Sequence, residues 1–504
     1  MVTEKFRRQL RKEATQWRSD ALISSDVYHQ LSERYEFDTI DSHARDRFVA
    51  ILIIVGSVLL GISVITFVAA NWQAIPRTIK VMLMMGVLIA VNTIGFYLWR
   101  SPRSASSSQT PLPRSQWRQR LGHGLLICGA LVLGANFALM GQLFHQRGTA
   151  FGLCIIWGLG VLTMAYGLRL TSLAVIAFGL ILLGYWIEFI SYDAYVLAPL
   201  IRHIFDIMPL VIGVLFLPLA YWCRSRIVFG LTVIGVGFSL ALTIGTLSNT
   251  VQDPFGITLA IALILPSALW WAYADDGWQH ILPRFISAEN GREDTDESIV
   301  FRPIARSLTI IYLGCLFYVL SFHGLWEDYS IPASASTASV ADVFMALVTN
   351  INVVVIVITT LAVWLWLGWP RIGHQWRLVT TDIVVLAMLA MTGGVVIWHE
   401  AIAPLLVLGT LMFNILLFLI AAGLMREGLA DGDRRQFWFG FVLLILQIIS
   451  RVFEYETGLL IKSFTFLVCG IGIIVIGLWF ERYVRALIPQ SGQSLQAINS
   501  EENG

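Results

Sequence analysis

The sequence predicts an all-α fold, a polytopic transmembrane helix bundle of about fourteen spans with both termini cytoplasmic. Three observations carry this. About fourteen apolar stretches follow one another, each near the roughly 20 residues a helix needs to cross the hydrocarbon core. Of 504 residues, 57% are hydrophobic and 13% charged, against about 25% charged in a soluble domain. The basic residues also crowd onto one side of the threading those stretches impose. Inside lipid each backbone polar group must be satisfied within its own segment, so long apolar runs have to be helices.

The elements follow in chain order. Residues 1–47 read as a cytoplasmic helical head. Leu10, Ala14, Trp17 and Ala21 share one helical face. Ser24-Ser25-Asp26 supplies the residue types that cap helix N-termini, and Val27, Leu31 and Tyr35 give a second stripe. This head has no early apolar region with a small-residue cleavage site, so the first span is expected to act as its own insertion signal. The spans fall at 48–70, 78–99, 121–142, 150–168, 171–190, 206–222, 227–248, 255–274, 306–322, 342–367, 378–397, 404–425, 436–450 and 463–480. Connections as short as Gly167 to Thr171 force antiparallel hairpins. Asn71-Trp72 reads as a stop with an interfacial anchor. Residues 481–504 read as a cytoplasmic disordered tail.

With the head cytoplasmic, 28 of the 34 Lys and Arg fall on that side and 6 on the other, namely Arg77, Lys80, Arg147, Arg202, Arg451 and Lys462. Missing one span would invert everything after it and spoil the asymmetry. Arg451 and Lys462, around the thirteenth span, run against the rule. Two cytoplasmic loops read as disordered: 100–120, rich in Ser, Pro and Arg, and the acidic 285–300. The first is a candidate contact with anionic lipid headgroups, which attract juxtamembrane basic segments. The loop Phe322 to Asp342 is rich in Ser and Ala. Trp270, Trp271, Trp364, Trp366, Trp369 and Trp398 lie at span ends and fit an interfacial belt.

Little in the chain points to catalysis. There is no Walker-type phosphate loop, no Gly-x-Ser-x-Gly elbow, and His399-Glu400 lacks the second His of a zinc-protease helix. Cys128, Cys154, Cys223, Cys315 and Cys469 form no CxxC pair and read as small buried apolar residues. No metal, cofactor or nucleic-acid partner is expected, and the partner that composition does imply is the lipid bilayer. Glu188, Asp342, Asp382 and Arg451 lie near span ends, where they can reach headgroups or water. At mid-depth the polar residues are mostly amides, Asn92, Asn136, Asn352 and Asn414, which disfavours a relay of buried carboxylates. Pro209, Pro218 and Pro266 fall within or near spans, but no repeat relates the halves.

Two polar patterns stand out. Ala130, Gly134 and Ala138 recur every fourth residue, as at close helix contacts, and Gln142 continues that face. They read either as a tight contact with a polar cap, or as a small pocket of Asn136, Gln142 and His145 opening on the non-cytoplasmic side. Gln447, Arg451 and Glu454 form a second polar face, with an ion pair expected between Arg451 and Glu454 at the outer boundary.

Certain of these residues carry a resemblance. Trp17, Tyr28, Leu31 and Tyr35, then Ala69-Ala70-Asn71-Trp72, then Gly134-Ala135-Asn136-Phe137-Ala138-Leu139-Met140-Gly141-Gln142-Leu143-Phe144-His145 with Trp157, resemble the bacterial membrane proteins grouped as domain of unknown function 2157. The resemblance covers roughly residues 10–170. It marks 48–170 as a family-like transmembrane region, ahead of a remaining bundle at 171–480. The family tends to carry an acidic residue where this chain has Thr149 after Gly148. The resemblance implies a bacterial integral membrane protein with no established activity. The expectation is a non-enzymatic scaffold or partner subunit of the bacterial plasma membrane, or of an internal photosynthetic membrane. The alternative is a transporter or flippase for a neutral or amphiphilic solute. A membrane-embedded enzyme using His145, Glu188 and His399 is the remotest reading.

Overall fold

The structure is a computed structural model. It describes residues 4–20, 22–34, 56, 59, 66, 76–100, 113–145, 149–191, 204, 206–275, 300–327, 338–368, 380–455, 458–478 and 482. Among them the regular structure is all helical, and 11 helices are long and apolar enough to cross a membrane. Most of the expected first span, Tyr35, Asn71-Trp72, most of the two polar loops, Trp369 and nearly all of the tail lie outside the described residues. The chain divides into two units, Met1–Ala90 and Val91–Gly504.

In the first unit, α1 (Glu4–Ser19) and α2 (Ser25–Arg34) form a hairpin. Ala14 is fully buried among Leu10, Trp17, Tyr28 and Leu31. Arg18 lies over the Tyr28 ring, 5.2 Å from its centroid. Of the expected second stripe Leu31 packs as expected, Tyr28 stands in for Val27, and Tyr35 lies outside the described residues. Tyr28 turns inward and Val27 is exposed. Ser24 Oγ accepts from Val27 N, as an N-cap does.

α3 (Arg77–Trp99) spans the boundary between the units. The second unit continues through α4 (Pro113–Leu143), α5 (Ala150–Leu168), α6 (Thr171–Ser191), α7 (Met208–Trp222) and α8 (Arg226–Val251). Then come α9 (Ile257–Ala272), α10 (Arg302–Leu320), α11 (Val340–Thr349), α12 (Ile351–Gly368) and α13 (Thr380–Ala401). α14 (Leu406–Asp431), α15 (Arg434–Glu454) and α16 (Leu459–Leu478) complete it. α4 begins at Pro113, inside the stretch expected to be loop. A proline at the first helical position gives up an N–H that has no partner there anyway.

Two expected spans differ in kind. The stretch 342–367 is two helices broken at Asn350, whose backbone is extended. Its side-chain oxygen accepts from Asn352 N at 3.1 Å and Val353 N at 3.4 Å, which starts α12 afresh. α9 is only 16 residues long, yet it touches α8, α10, α11, α12 and α13 and so lies at the centre of the packing. Ten of its residues are buried, including Trp270 and Trp271. Those two tryptophans therefore belong to the core and not to an interfacial belt, whereas Trp366 and Trp398 are exposed as a belt requires.

Two prolines inside helices are answered by tyrosines. A helical proline removes one N–H and its ring crowds the preceding turn, so nearby carbonyls lose donors. Tyr166 OH donates to Leu215 O, three residues before Pro218, at 2.5 Å. Tyr312 OH donates to Leu263 O, three residues before Pro266, at 2.9 Å. Without water, such carbonyls need protein donors.

The bundle has two polar ends. At one, the C-terminal ends of α5, α7 and α9 meet the N-terminal ends of α10 and α13. There Arg169 lies 4.4 Å over the Trp222 ring, and Trp271 Nε1 donates to Asp382 at 3.0 Å. At the other, the C-terminal ends of α10, α13 and α15 meet the start of α14. There His399 Nδ1 accepts from Leu405 N at 2.9 Å. The first is the Asp275 end and the second the Arg451 end.

Candidate functional site

The stripe of small residues on α4 is a seat for one tryptophan. Ala130 is fully buried and Gly134 is buried. A Cβ on Gly134 would lie 2.1 Å from Trp157 Cε2 of α5. The indole lies on the glycine, and its Nε1 donates to Ala130 O at 2.8 Å. Ala138 is half-buried further along.

The three residues of the expected pocket are in two environments. Asn136 is buried and its Nδ2 donates to Val132 O of its own helix at 2.9 Å. Its Oδ1 has no partner among the described residues. Gln142 and His145 are exposed at the end of α4, where His145 adopts a left-handed backbone (φ 53°). Six residues along a helix turn a side chain by roughly 120° relative to the first, so Asn136 and Gln142 do not share a face. Thr149 caps α5: its Oγ1 accepts from Gly152 N at 3.1 Å, a role threonine fills as an N-cap.

The densest polar centre lies at the Arg451 end. Arg451 and Glu454 of α15 form an ion pair, with side chains 17% and 12% exposed. Arg451 Nη1 also donates to Ser321 O, just past the end of α10. Its guanidinium lies 4.2 Å over the Phe322 ring, and Glu454 accepts from His323 N. The negative end of α10 is therefore capped by a cation from another helix. Asn414 of α14 donates to the same Ser321 carbonyl at 3.2 Å. Gln447 Nε2 donates to Asn414 O at 2.8 Å and Oδ1 at 3.1 Å. Gln447 lies two turns below Glu454, roughly 10 Å deeper by helix rise. It is 9% exposed, and its Oε1 has no partner among the described residues. Nearby, Trp326 from the single turn Gly324–Glu327 stacks on Phe413 and packs edge-on to His399, with ring centroids 5.6 and 4.9 Å away.

Sequence reasoning did not find the Asp275 cluster. Asp275 is buried and accepts from Phe301 N and Arg302 N, the first donors of α10, at 3.0 and 2.9 Å. Tyr221 OH donates to it at 2.6 Å and pairs with Tyr273 OH. Nothing in the sequence distinguishes Asp275 from Asp276 beside it. Asp382, expected to reach headgroups or water, is buried and taken by Arg306 at 3.2 Å and by Trp271. Two cysteines expected inside the protein, Cys128 and Cys315, are exposed on helix surfaces. Among the described residues no group of three His, Cys, Asp or Glu converges as a metal would require.

A family model described as predicted membrane protein (DUF2157) matches residues 15–174, the N-terminal third of the chain. No curated protein and no solved structure matches. The match covers the head from residue 15 onward, α3 to α5, the Trp157 seat and the Thr149 cap. The Arg451 centre and the Asp275 cluster lie beyond it. With its many apolar helices, the chain is a membrane protein.

Proposed function

We propose that this is a non-enzymatic protein of the bacterial plasma membrane that acts as a scaffold or partner subunit. One observation supports the reading most. Among the described residues α16 has a single buried residue, Cys469, and it exposes apolar side chains on nearly every side, among them Phe464, Phe466, Leu467, Val468, Ile474 and Val475. The buried carboxylates Asp275, Asp382 and Glu454 are meanwhile spent on joining its own helices. A membrane subunit needs an outer apolar surface of this kind.

Photo-crosslinkers placed at Leu467 and Ile474 in native membranes test the reading. A discrete protein adduct at both, absent from a probe at buried Phe413, is expected. Lipid adducts alone would count against it.

The amide pair Asn414 and Gln447 favours a second reading, a pathway for a neutral or amphiphilic solute entered from the Arg451 end. Uptake into proteoliposomes that is lost in Gln447→Leu, with the fold retained, would shift the balance to transport.

A further inference from the structure

The turn between α13 and α14 is closed by a side chain that can take up a proton. Ile402, Ala403 and Pro404 join the two helices, and all three are exposed. At the N-cap of α14, Leu405 N donates to His399 Nδ1 at 2.9 Å, which lies in the last turn of α13. A ring nitrogen accepts only through its lone pair, so Nδ1 is bare and the neutral ring carries its proton on Nε2. A protonated imidazole donates from both nitrogens. It would turn Nδ1–H against Leu405 N–H, and the bond would become an opposition of two donors.

The ring is buried, yet protons can reach it. His399 is 8% exposed, while Ala401 to Pro404 beside it are open. Trp326 packs edge-on to the ring and stacks on Phe413 of α14. The indole covers Gly409, where a Cβ would lie 2.9 Å from Trp326 Cδ2. Its Nε1 donates to Leu320 O and cannot serve His399. α14 packs chiefly on α10 and α15 and touches α13 little, so the His399 bond and the Trp326 contact tie the two helices at this end. The neighbouring ionisable groups are otherwise engaged. Glu400 lies against Gly256 at the start of α9, and Asp253 before it accepts from Phe255 N and Thr258 N. His323 faces Thr410 of α14, Arg451 pairs with Glu454, and Glu327 follows Trp326 in the chain. Among the described residues none of them bonds to the His399 ring.

We propose that His399 is an acid-released latch, whose neutral ring closes the α13–α14 turn and whose protonation frees that turn at the Arg451 end of the bundle. The bond is present above the pH at which the ring takes up its proton and is lost as pH falls through it. The latch does not depend on the scaffold reading above.

Hydrogen exchange of the full chain in lipid nanodiscs tests this. Exchange is read at the Leu405 amide as protection relative to an unstructured peptide at the same pH. In the wild-type chain, protection should fall between about pH 8 and about pH 5, the range in which histidine changes charge. The fall should be about tenfold, roughly what one hydrogen bond supplies. Unchanged protection overturns the proposal. His399→Asn sets a carbonyl oxygen where Nδ1 stands and cannot titrate, so it should keep the protection at both pH values. A fall that persists in His399→Asn overturns the latch. His399→Phe should be poorly protected at both. Glu400→Gln and His323→Gln should fall as the wild type does, and loss of the dependence in either would assign it to that group and overturn the role of His399.

Discussion

Gly134→Ala is the sharpest test of how α4 and α5 pack. The added Cβ would meet Trp157 at 2.1 Å, so the indole must withdraw by about 1.3 Å to regain an ordinary 3.4 Å contact. A shift of that size takes Nε1 out of reach of Ala130 O, now 2.8 Å away. Overpacking of a tight contact costs about 1–3 kcal/mol. A lost interhelical hydrogen bond in a membrane protein adds about 0.6 kcal/mol. Alanine's higher helix propensity returns up to about 1 kcal/mol. The net expectation is a loss of about 0.6–3.6 kcal/mol, read by reversible unfolding in mixed micelles. Gly141→Ala on the same helix meets open space and should be neutral or slightly stabilising. In a Trp157→Ala background, Gly134→Ala should lose most of its effect. If Gly134→Ala is as stable as wild type, or costs as much without the indole, the seat does not exist as described.

Three further expectations use the same preparation. Tyr312→Phe should cost about 0.6–1.7 kcal/mol, and less once Pro266→Ala removes the ring that crowds this turn and lets Ser267 N reach Leu263 O, its i−4 partner; an equal cost in both backgrounds would refute the pairing. Arg451→Leu should cost about 3–5 kcal/mol by stranding Glu454, and Arg451→Leu with Glu454→Leu should recover most of that. Ser339 bonds hold the Asp342 carboxyl below the ordinary carboxylate range. The capping box that starts α11 is therefore fully present above the ordinary aspartate pKa and is lost as pH falls through the lowered value. Amide exchange at Val343 should follow that fall, and Ser339→Ala should abolish the dependence.

The apolar runs made most helices legible, because length and the absence of charge suffice when lipid is the solvent. Where the reading went astray, a tertiary contact had changed the meaning of a residue. Trp270 and Trp271 lie at a span end, but α9 is surrounded, so they became core. Asp382 also lies near a span end, but Arg306 stands opposite it, and residues 76 apart carry no shared pattern. The break at Asn350 depends on one amide turning back onto its own backbone in the middle of an apolar run. Of the candidate site residues, Ala130 and Gly134 could be placed on a contact by spacing, and Arg451 with Glu454 by charge and spacing. Asn136, Gln142 and His145 were joined only by proximity in sequence, and helical rotation separates them.

The Asp275 carboxylate grips Phe301 and Arg302, so the described chain on either side of residues 276–299 is tied together there. A protease cut, an epitope tag or a fluorescent protein placed within those residues would leave that tie intact. The two fragments of a nicked chain should then travel through a sizing column as one particle, parting only when the membrane mimic itself is stripped away.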